Sequence, residues 1–361
     1  MSEYTEILRK VYTLRLRKYL NELPDFCDEF FRGIQSRTTI RTRINYAYDL
    51  ELFFGFITSL ESECSLAGKD KERLTIEDFK AITVDDLEEF IDYLSFYTKQ
   101  YTKYPDDIEV NYYLEHQNAE SAKARKICTI NAIFSYFIKK RKIEVNPASF
   151  VERPKIRKKN ITRLEADEVA RLLDEVESGG ELNQWQKNYH EKTKVRDLAI
   201  ITLMLGTGMR LSECIGIDIS HIDFQLMGVK VTRKGGNESI LYFGDEVMDA
   251  LELYLEERRL ITPLAGHENA LFLSLQKRRI TDRAVQNLVK KYARLITGAK
   301  NISPHKLRST FGTTLYRETG DIYLVAEVLG HADVNTTKKH YAAIDEEHKL
   351  KATKYIKLRG E

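Results

Sequence analysis

No stretch of this sequence approaches the ~18 consecutive apolar residues needed to cross a bilayer, so no membrane segment is expected. The opening MSEYTEILRK mixes acids with bases and has no apolar signal-peptide core, which predicts a cytoplasmic protein. Cysteine is scarce: Cys27, Cys64, Cys128 and Cys214 lie far apart and form no CxxC pair. That spacing argues against a zinc site and a disulfide framework, and fits a reducing compartment. No internal repeat and no low-complexity tract is visible. Neither sign of charge predominates, since 57 Lys and Arg face 55 Asp and Glu for a net charge of +2. The sum alone therefore makes no case for a polyanionic partner.

What is present fits a soluble globular chain. At 361 residues, about 150 residues per domain predicts two domains. Charge is unevenly placed. Arg153 to Lys159 reads RPKIRKK, and the acidic LEADEVARLLDEVESGGE follows soon after. The basic run is either part of a basic face on a nearly neutral protein or a solvated charge run, and composition leaves both open.

The first 150 residues read as helical. Thr38 to Ile57 places Ile40, Ile44, Ala47, Leu50, Phe53, Phe54 and Ile57 at helical spacing. Thr83 is placed to cap a helix running through Ile91 and Leu94. Ser121 to Lys142 carries the stripe Ile127, Ile130, Ile133, Phe134, Phe137 and Ile138, with Lys123, Arg125 and Lys126 on its polar face. Residues 98–120 are polar and Tyr-rich and read as an inserted loop or irregular helix. Residues 151–161 read as a linker, and Thr162 to Glu165 as a capping box opening a second domain. There, Arg196 to Leu205 predicts a buried helix ended by Gly206. Met227 to Phe243 alternates on either side of KGGN and predicts a β-hairpin turning at Lys234–Asn237. Helices are expected over 245–259 and 281–297, and Ser303-Pro304 opens another. The expected fold is mainly α with a small β-hairpin or sheet.

Several polar residues sit where helices begin or turns tighten. Arg210 follows the glycine-bearing turn Gly206-Thr-Gly208, where backbone N–H groups and a helix dipole favour an anion. His305 and Arg308, three apart, share a helix face. Lys234 sits at the hairpin tip, and His331 follows Leu329-Gly330. Taken singly, each has an ordinary reading: a surface arginine, a solubilising lysine, a residue past a helix cap. Together they form a cationic, hydrogen-bonding set, and no DxD or comparable carboxylate cluster accompanies them. Such a set suits a phosphodiester, whose transition state gathers charge on non-bridging oxygens. A metal-dependent nuclease would need carboxylates to hold its cations.

The order of these boxes resembles the tyrosine recombinase (integrase) family over nearly the whole chain. GTGMRLSE supplies Arg210, RKGGNE supplies Lys234, PHKLRST supplies His305 and Arg308, and LGH with TTKKHYAAI supplies His331 and Tyr341. RDLAII, RLSE and RKGGNE are most similar to the Xer-type branch. Two departures stand out. His331 and Tyr341 are ten apart where many relatives have nine, and Ser309 follows Arg308 where many have histidine.

The resemblance implies a two-domain, C-shaped DNA clamp. Residues 1–150 would be a helical core-binding domain, 162–344 an α+β catalytic domain and 345–361 a segment docking on a neighbouring protomer. It implies Tyr341 as nucleophile, Arg210 and Arg308 as phosphate clamps and Lys234 as general acid. His305 and His331 would bind phosphate, with His305 also taking the tyrosine proton, since a phenol near pKa ~10 needs help at neutral pH. Glu213 would orient Arg210, with a plain surface role equally open. No metal and no cofactor is implied. The partners implied are double-stranded DNA and three further copies on paired sites, with a DNA translocase as a candidate activator. Arg41, Arg43, Lys123, Arg125, Lys126, Arg153, Lys155, Arg157, Lys158 and Lys159 are the expected DNA contacts. The biological role implied is chromosome dimer resolution. Integration or excision of a mobile element, and strand relaxation like that of a type IB topoisomerase, are the alternatives.

Overall fold

The computed structural model describes residues 3–103, 110–155, 162–233, 236–298, 300–331 and 334. The chain divides into two compact units, Met1–Lys158 and Lys159–Glu361.

The first unit holds helices α1 (Glu3–Leu20), α2 (Phe26–Gly33), α3 (Ile40–Ile57), α4 (Ile76–Lys80), α5 (Val84–Tyr93) and α6 (Glu120–Lys139). Thr39 starts α3 by accepting from the Thr42 N–H at 3.2 Å. Thr83 and Asp86 form a reciprocal capping box on α5. The apolar stripes of α3 and α6 meet in an aromatic core, where Phe79 of α4 stacks on Phe134 of α6 with ring centroids 4.0 Å apart. Residues 98–120 differ from the expected loop or irregular helix. They hold most of an antiparallel hairpin, β1 (Tyr97–Lys103) with β2 (Val110–His116), paired from Tyr97↔His116 to Lys103↔Val110. Tyrosine and threonine suit a pleated ribbon. A two-stranded ribbon buries too little to impose an apolar alternation, which is why the sequence pattern was silent.

The second unit holds α7 (Ala166–Ser178), α8 (Gln184–His190), α9 (Lys194–Thr207), α10 (Leu211–Ile215), α11 (Asp245–Arg259), α12 (Asp282–Thr297), α13 (Pro304–Thr319) and α14 (Ile322–Leu329). A three-stranded antiparallel sheet, order β3-β4-β5, comprises β3 (Ile222–Asp223), β4 (Gly228–Thr232) and β5 (Glu238–Tyr242). Helix α9 is buried on nearly every side through Ala199, Ile200, Ile201, Leu203 and Met204, with α7, α11 and α13 packed around it. It runs past Gly206 and ends at Gly208, which has φ +62°. Gly206 serves packing instead, because a Cβ there would collide with Val247 of α11. The capping box also sits three residues later than expected: Glu165 caps α7 with Glu168 as its reciprocal partner. Residue 164 is pinned before the helix starts, with Leu164 buried and its N–H donating to Thr310 Oγ1 at 3.0 Å. No helix among the described residues is long and apolar enough to cross a membrane.

Candidate active site

The site is built around the C-terminal end of α14. Its last turn closes as a Schellman motif, with the His331 N–H donating to Ala326 O at 2.9 Å and the Gly330 N–H to Glu327 O at 2.8 Å. Gly330 takes the left-handed conformation this needs, φ +59°. Among the described residues, the next carbonyls, those of Val328, Leu329 and Gly330, have no helical partner. Three arginines fill that gap. Arg233 Nη2 donates to Val328 O at 2.9 Å, Arg308 Nη2 donates to Leu329 O, and Arg210 Nη2 donates to Gly330 O at 3.1 Å. The negative end of the helix dipole suits cations in this position.

Each arginine is aimed by its own element. Arg308 lies on α13, is buried, and spans two helix ends, because its Nη1 also donates to Gly208 O at 2.8 Å. Gly208 must lack a side chain there, since a Cβ would press into the Phe311 ring. Arg210 is the N-cap of α10. Its backbone N–H donates to Glu213 Oε2 at 2.7 Å and its Nη1 to Glu213 Oε1 at 2.9 Å. Glu213 is buried, so its carboxylate holds Arg210 at both backbone and side chain. Arg233 follows β4 and is half-buried. Burial comes first in lowering the pKa of its guanidinium from the ordinary value, with Glu213 opposing and Arg210 adding to the shift.

His305 stands exposed in the first turn of α13, on the face shared with Arg308, and its carbonyl accepts from Ser309 Oγ at 3.1 Å. His331 is half-buried at the end of α14. Arg210, His305, Arg308 and His331 are thus carried by the facing ends of α10, α13 and α14. Lys234 and Tyr341 lie outside the described residues. Chemically, the described part is a cluster of guanidinium donors with one buried counter-carboxylate, an arrangement that receives a tetrahedral oxyanion. Sequence reasoning missed Arg233. Its only sequence signal was its place beside Lys234, where a hairpin-tip arginine reads as a solvated charge.

The expected nucleic-acid contacts divide by location. Arg41 is exposed and lies over the Tyr12 ring at 4.9 Å, donating from Nε to Tyr12 Oη at 3.0 Å. Arg43 is half-buried, with its pKa lowered from the ordinary value by burial and then by Arg9. Lys123 and Lys126, expected on a solvent-facing polar face, are only 8% and 3% exposed. Lys123 Nζ donates to Ser95 Oγ at 2.8 Å and Lys126 Nζ to Asn118 Oδ1 at 3.0 Å. Arg125 pairs with the buried Asp49, whose Oδ2 also accepts from Thr129 Oγ1 at 2.9 Å. Arg125 and Thr129 thus compensate the buried Asp49 of α3, while Ser95 and Asn118 hold the two lysines inward. Arg153 and Lys155 are exposed, and Arg157, Lys158 and Lys159 lie outside the described residues.

Comparison with known proteins places these features in context. Residues 162–348 match the model of the phage integrase family. The chain is 31% identical over 329 residues to tyrosine recombinase XerC of Caldanaerobacter subterraneus subsp. tengcongensis, covering 89% of this chain and 82% of that one. It is 30% identical over 300 residues to XerC of Thermodesulfovibrio yellowstonii, covering 81% and 93%. Among solved structures, XerH site-specific recombinase bound to difH substrate, in a pre-cleavage complex, superposes with a TM-score of 0.59 at 20% identity, covering 86% of this chain and 78% of that one. The Tn1549 transposon integrase in complex with circular intermediate DNA gives 0.59 at 19% identity, covering 87% and 94%.

Proposed function

The chain belongs to the phage integrase family, the tyrosine recombinases, and from that premise we propose that it cuts and rejoins duplex DNA through a covalent link to Tyr341. The observation that carries this reading is the gathering of Arg210 and Arg308 at the end of α14, beside His331 and ten residues before Tyr341. The Tyr341 phenolic oxygen attacks the scissile phosphorus. A phosphorus–oxygen bond to tyrosine forms, and the bond to the 5′-oxygen of the next nucleotide breaks. The phenol proton passes to His305, and Lys234 protonates the leaving 5′-oxygen. Arg210 and Arg308 bind the two non-bridging oxygens most strongly in the pentacoordinate transition state. The energy of the broken bond is kept in the phosphotyrosine, so the 5′-hydroxyl of a second duplex can reseal it by reversing these steps. Exchange between two duplexes calls for four protomers, with residues 345–361 docking between neighbours. Residues 1–150 serve as the core-binding domain, 151–161 as a basic linker and 162–344 as the catalytic domain. The relatives named XerC favour chromosome dimer resolution as the role.

The test starts by recovering the cleavage site. Purified protein is incubated with fragmented DNA from its source, denatured, and the covalently attached fragments are sequenced. One chromosomal site is expected; the ends of a mobile element would overturn the resolution role. A duplex nicked beside that site then traps the intermediate, because its short leaving strand diffuses away. Tyr341→Phe should still shift this duplex in a gel yet form no adduct; an adduct that persists would remove Tyr341 as the nucleophile.

A further inference from the structure

We propose that Arg233 is a positioning residue that ties the β4–β5 hairpin to the end of α14 and so sets where Lys234 stands in the site. The inference rests on Lys234 being the general acid. Its support is geometric. The neck of the hairpin is closed on both sides of Arg233, whose N–H donates to Asn237 O at 2.7 Å and whose O accepts from the Gly236 N–H at 3.0 Å. The backbone at residue 233 is therefore fixed. Lys234 is the next residue in the chain.

From this neck the Arg233 side chain crosses 95 residues of sequence to Val328 O, at 2.9 Å. Its guanidinium lies close against Gly330. A Cβ built on Gly330 would stand 2.6 Å from Arg233 Cζ, closer than real atoms approach. Nη1 is buried and has no hydrogen-bond acceptor among the described residues. Three consecutive carbonyls at the end of α14 and its cap, those of Val328, Leu329 and Gly330, thus receive Arg233, Arg308 and Arg210 in order. The hairpin is indexed to the same helix end that both phosphate-clamping arginines grip. Lysine at position 233 would not reproduce this, because a single ammonium lacks the planar fork that reaches Val328 O while filling the space beside Gly330.

The experiment uses the full-length chain and the recovered cleavage site, synthesised with either a normal phosphate or a 5′-bridging sulfur at the scissile position. A thiolate leaves without a proton, so a defect in the general acid disappears on the sulfur substrate. Arg233→Ala, Arg233→Lys and Lys234→Ala are compared with the parent for single-turnover cleavage, gel-shift affinity and melting temperature. Misplacing the acid predicts a loss of about 10²-fold for Arg233→Ala on the normal substrate. The expected result is that sulfur restores Arg233→Ala and Lys234→Ala alike, with Arg233→Lys intermediate on phosphate and also restored. If sulfur rescues Lys234→Ala but not the Arg233 variants, Arg233 acts on the phosphate or the fold and the inference fails by itself. If sulfur rescues neither, Lys234 is not the acid and both readings fall. Cleavage of the normal substrate at the parental rate by Arg233→Ala would also overturn the inference. Should Arg233→Ala not fold, the comparison of Arg233→Lys with Lys234→Ala decides between the same outcomes.

Discussion

Replacing Glu213 should cost more in catalysis than in DNA binding, and the structure allows the size to be worked out. Glu213 accepts from Arg210 twice, at 2.7 Å from the backbone and 2.9 Å from Nη1, with a side chain only 2% exposed. Hydrogen bonds to a charged group contribute about 1.5–3 kcal/mol each when truncated. The Arg210 side chain is 32% exposed, so its half of the pair is screened and closer to about 0.5–1 kcal/mol. Glu213→Ala should therefore destabilise by roughly 2–4 kcal/mol, or about 4–16 °C in melting for a unit of this size. Glu213→Gln keeps an acceptor for the backbone N–H and should lose only about 1 kcal/mol. Arg210 would retain Gly330 O as its remaining anchor. Misplacement of a phosphate clamp then predicts roughly 10²-fold slower cleavage for Glu213→Ala. Differential scanning calorimetry, single-turnover cleavage and gel-shift affinity measured on the same preparation check all three. Unchanged melting together with unchanged cleavage in Glu213→Ala would refute the claim that this carboxylate holds Arg210 in place.

Three further outcomes are expected. Burial, and then the charge of Lys291, hold the His190 imidazole below its ordinary value of 6.5, while its Nδ1 lies 3.0 Å from Tyr292 Oη. A group with a folded pKa below its unfolded one stabilises fully above about pH 6.5, and that stabilisation is lost as pH falls through the shifted value. Melting of the parent should decline on acidification, and His190→Gln should flatten that slope; equal slopes would sink the assignment. Lys126→Met should alter melting while leaving DNA affinity and its salt dependence unchanged, because Lys126 is bonded internally. Lys155→Ala, at an exposed position, should do the reverse and reduce the salt slope by about 0.9 for each phosphate it no longer neutralises.

The helices of both units were legible wherever an apolar stripe faced a core, as in α3, α6, α11 and α12. The hairpin around Gly228–Tyr242 was legible because Val229 and Val231 alternate and bury one face. Helix ends were read less well. Gly206 and the Thr162–Glu165 box carry the residue types of caps, yet Val247 and Thr310 claim those positions for packing and hydrogen bonding. Arg210, His305, Arg308 and His331 stood out as one set by type and order, and Arg210 and Arg308 do meet at the end of α14. Arg233 and the inward turn of Lys123 and Lys126 were not legible. Each depends on a partner remote in sequence, Val328 for Arg233, and Ser95 and Asn118 for the lysines. A charged residue on a helix or hairpin looks solvated until such a partner is seen.

The closeness of Gly330 to the Arg233 guanidinium also constrains how this chain can diverge. Any side chain at position 330 would take the space the arginine now fills. The arginine is the far end of a flexible side chain and can swing aside, whereas the left-handed backbone at 330, φ +59°, disfavours any other residue whatever stands at 233. A larger residue there would therefore strain the helix cap and push the arginine off Val328 O in a single change.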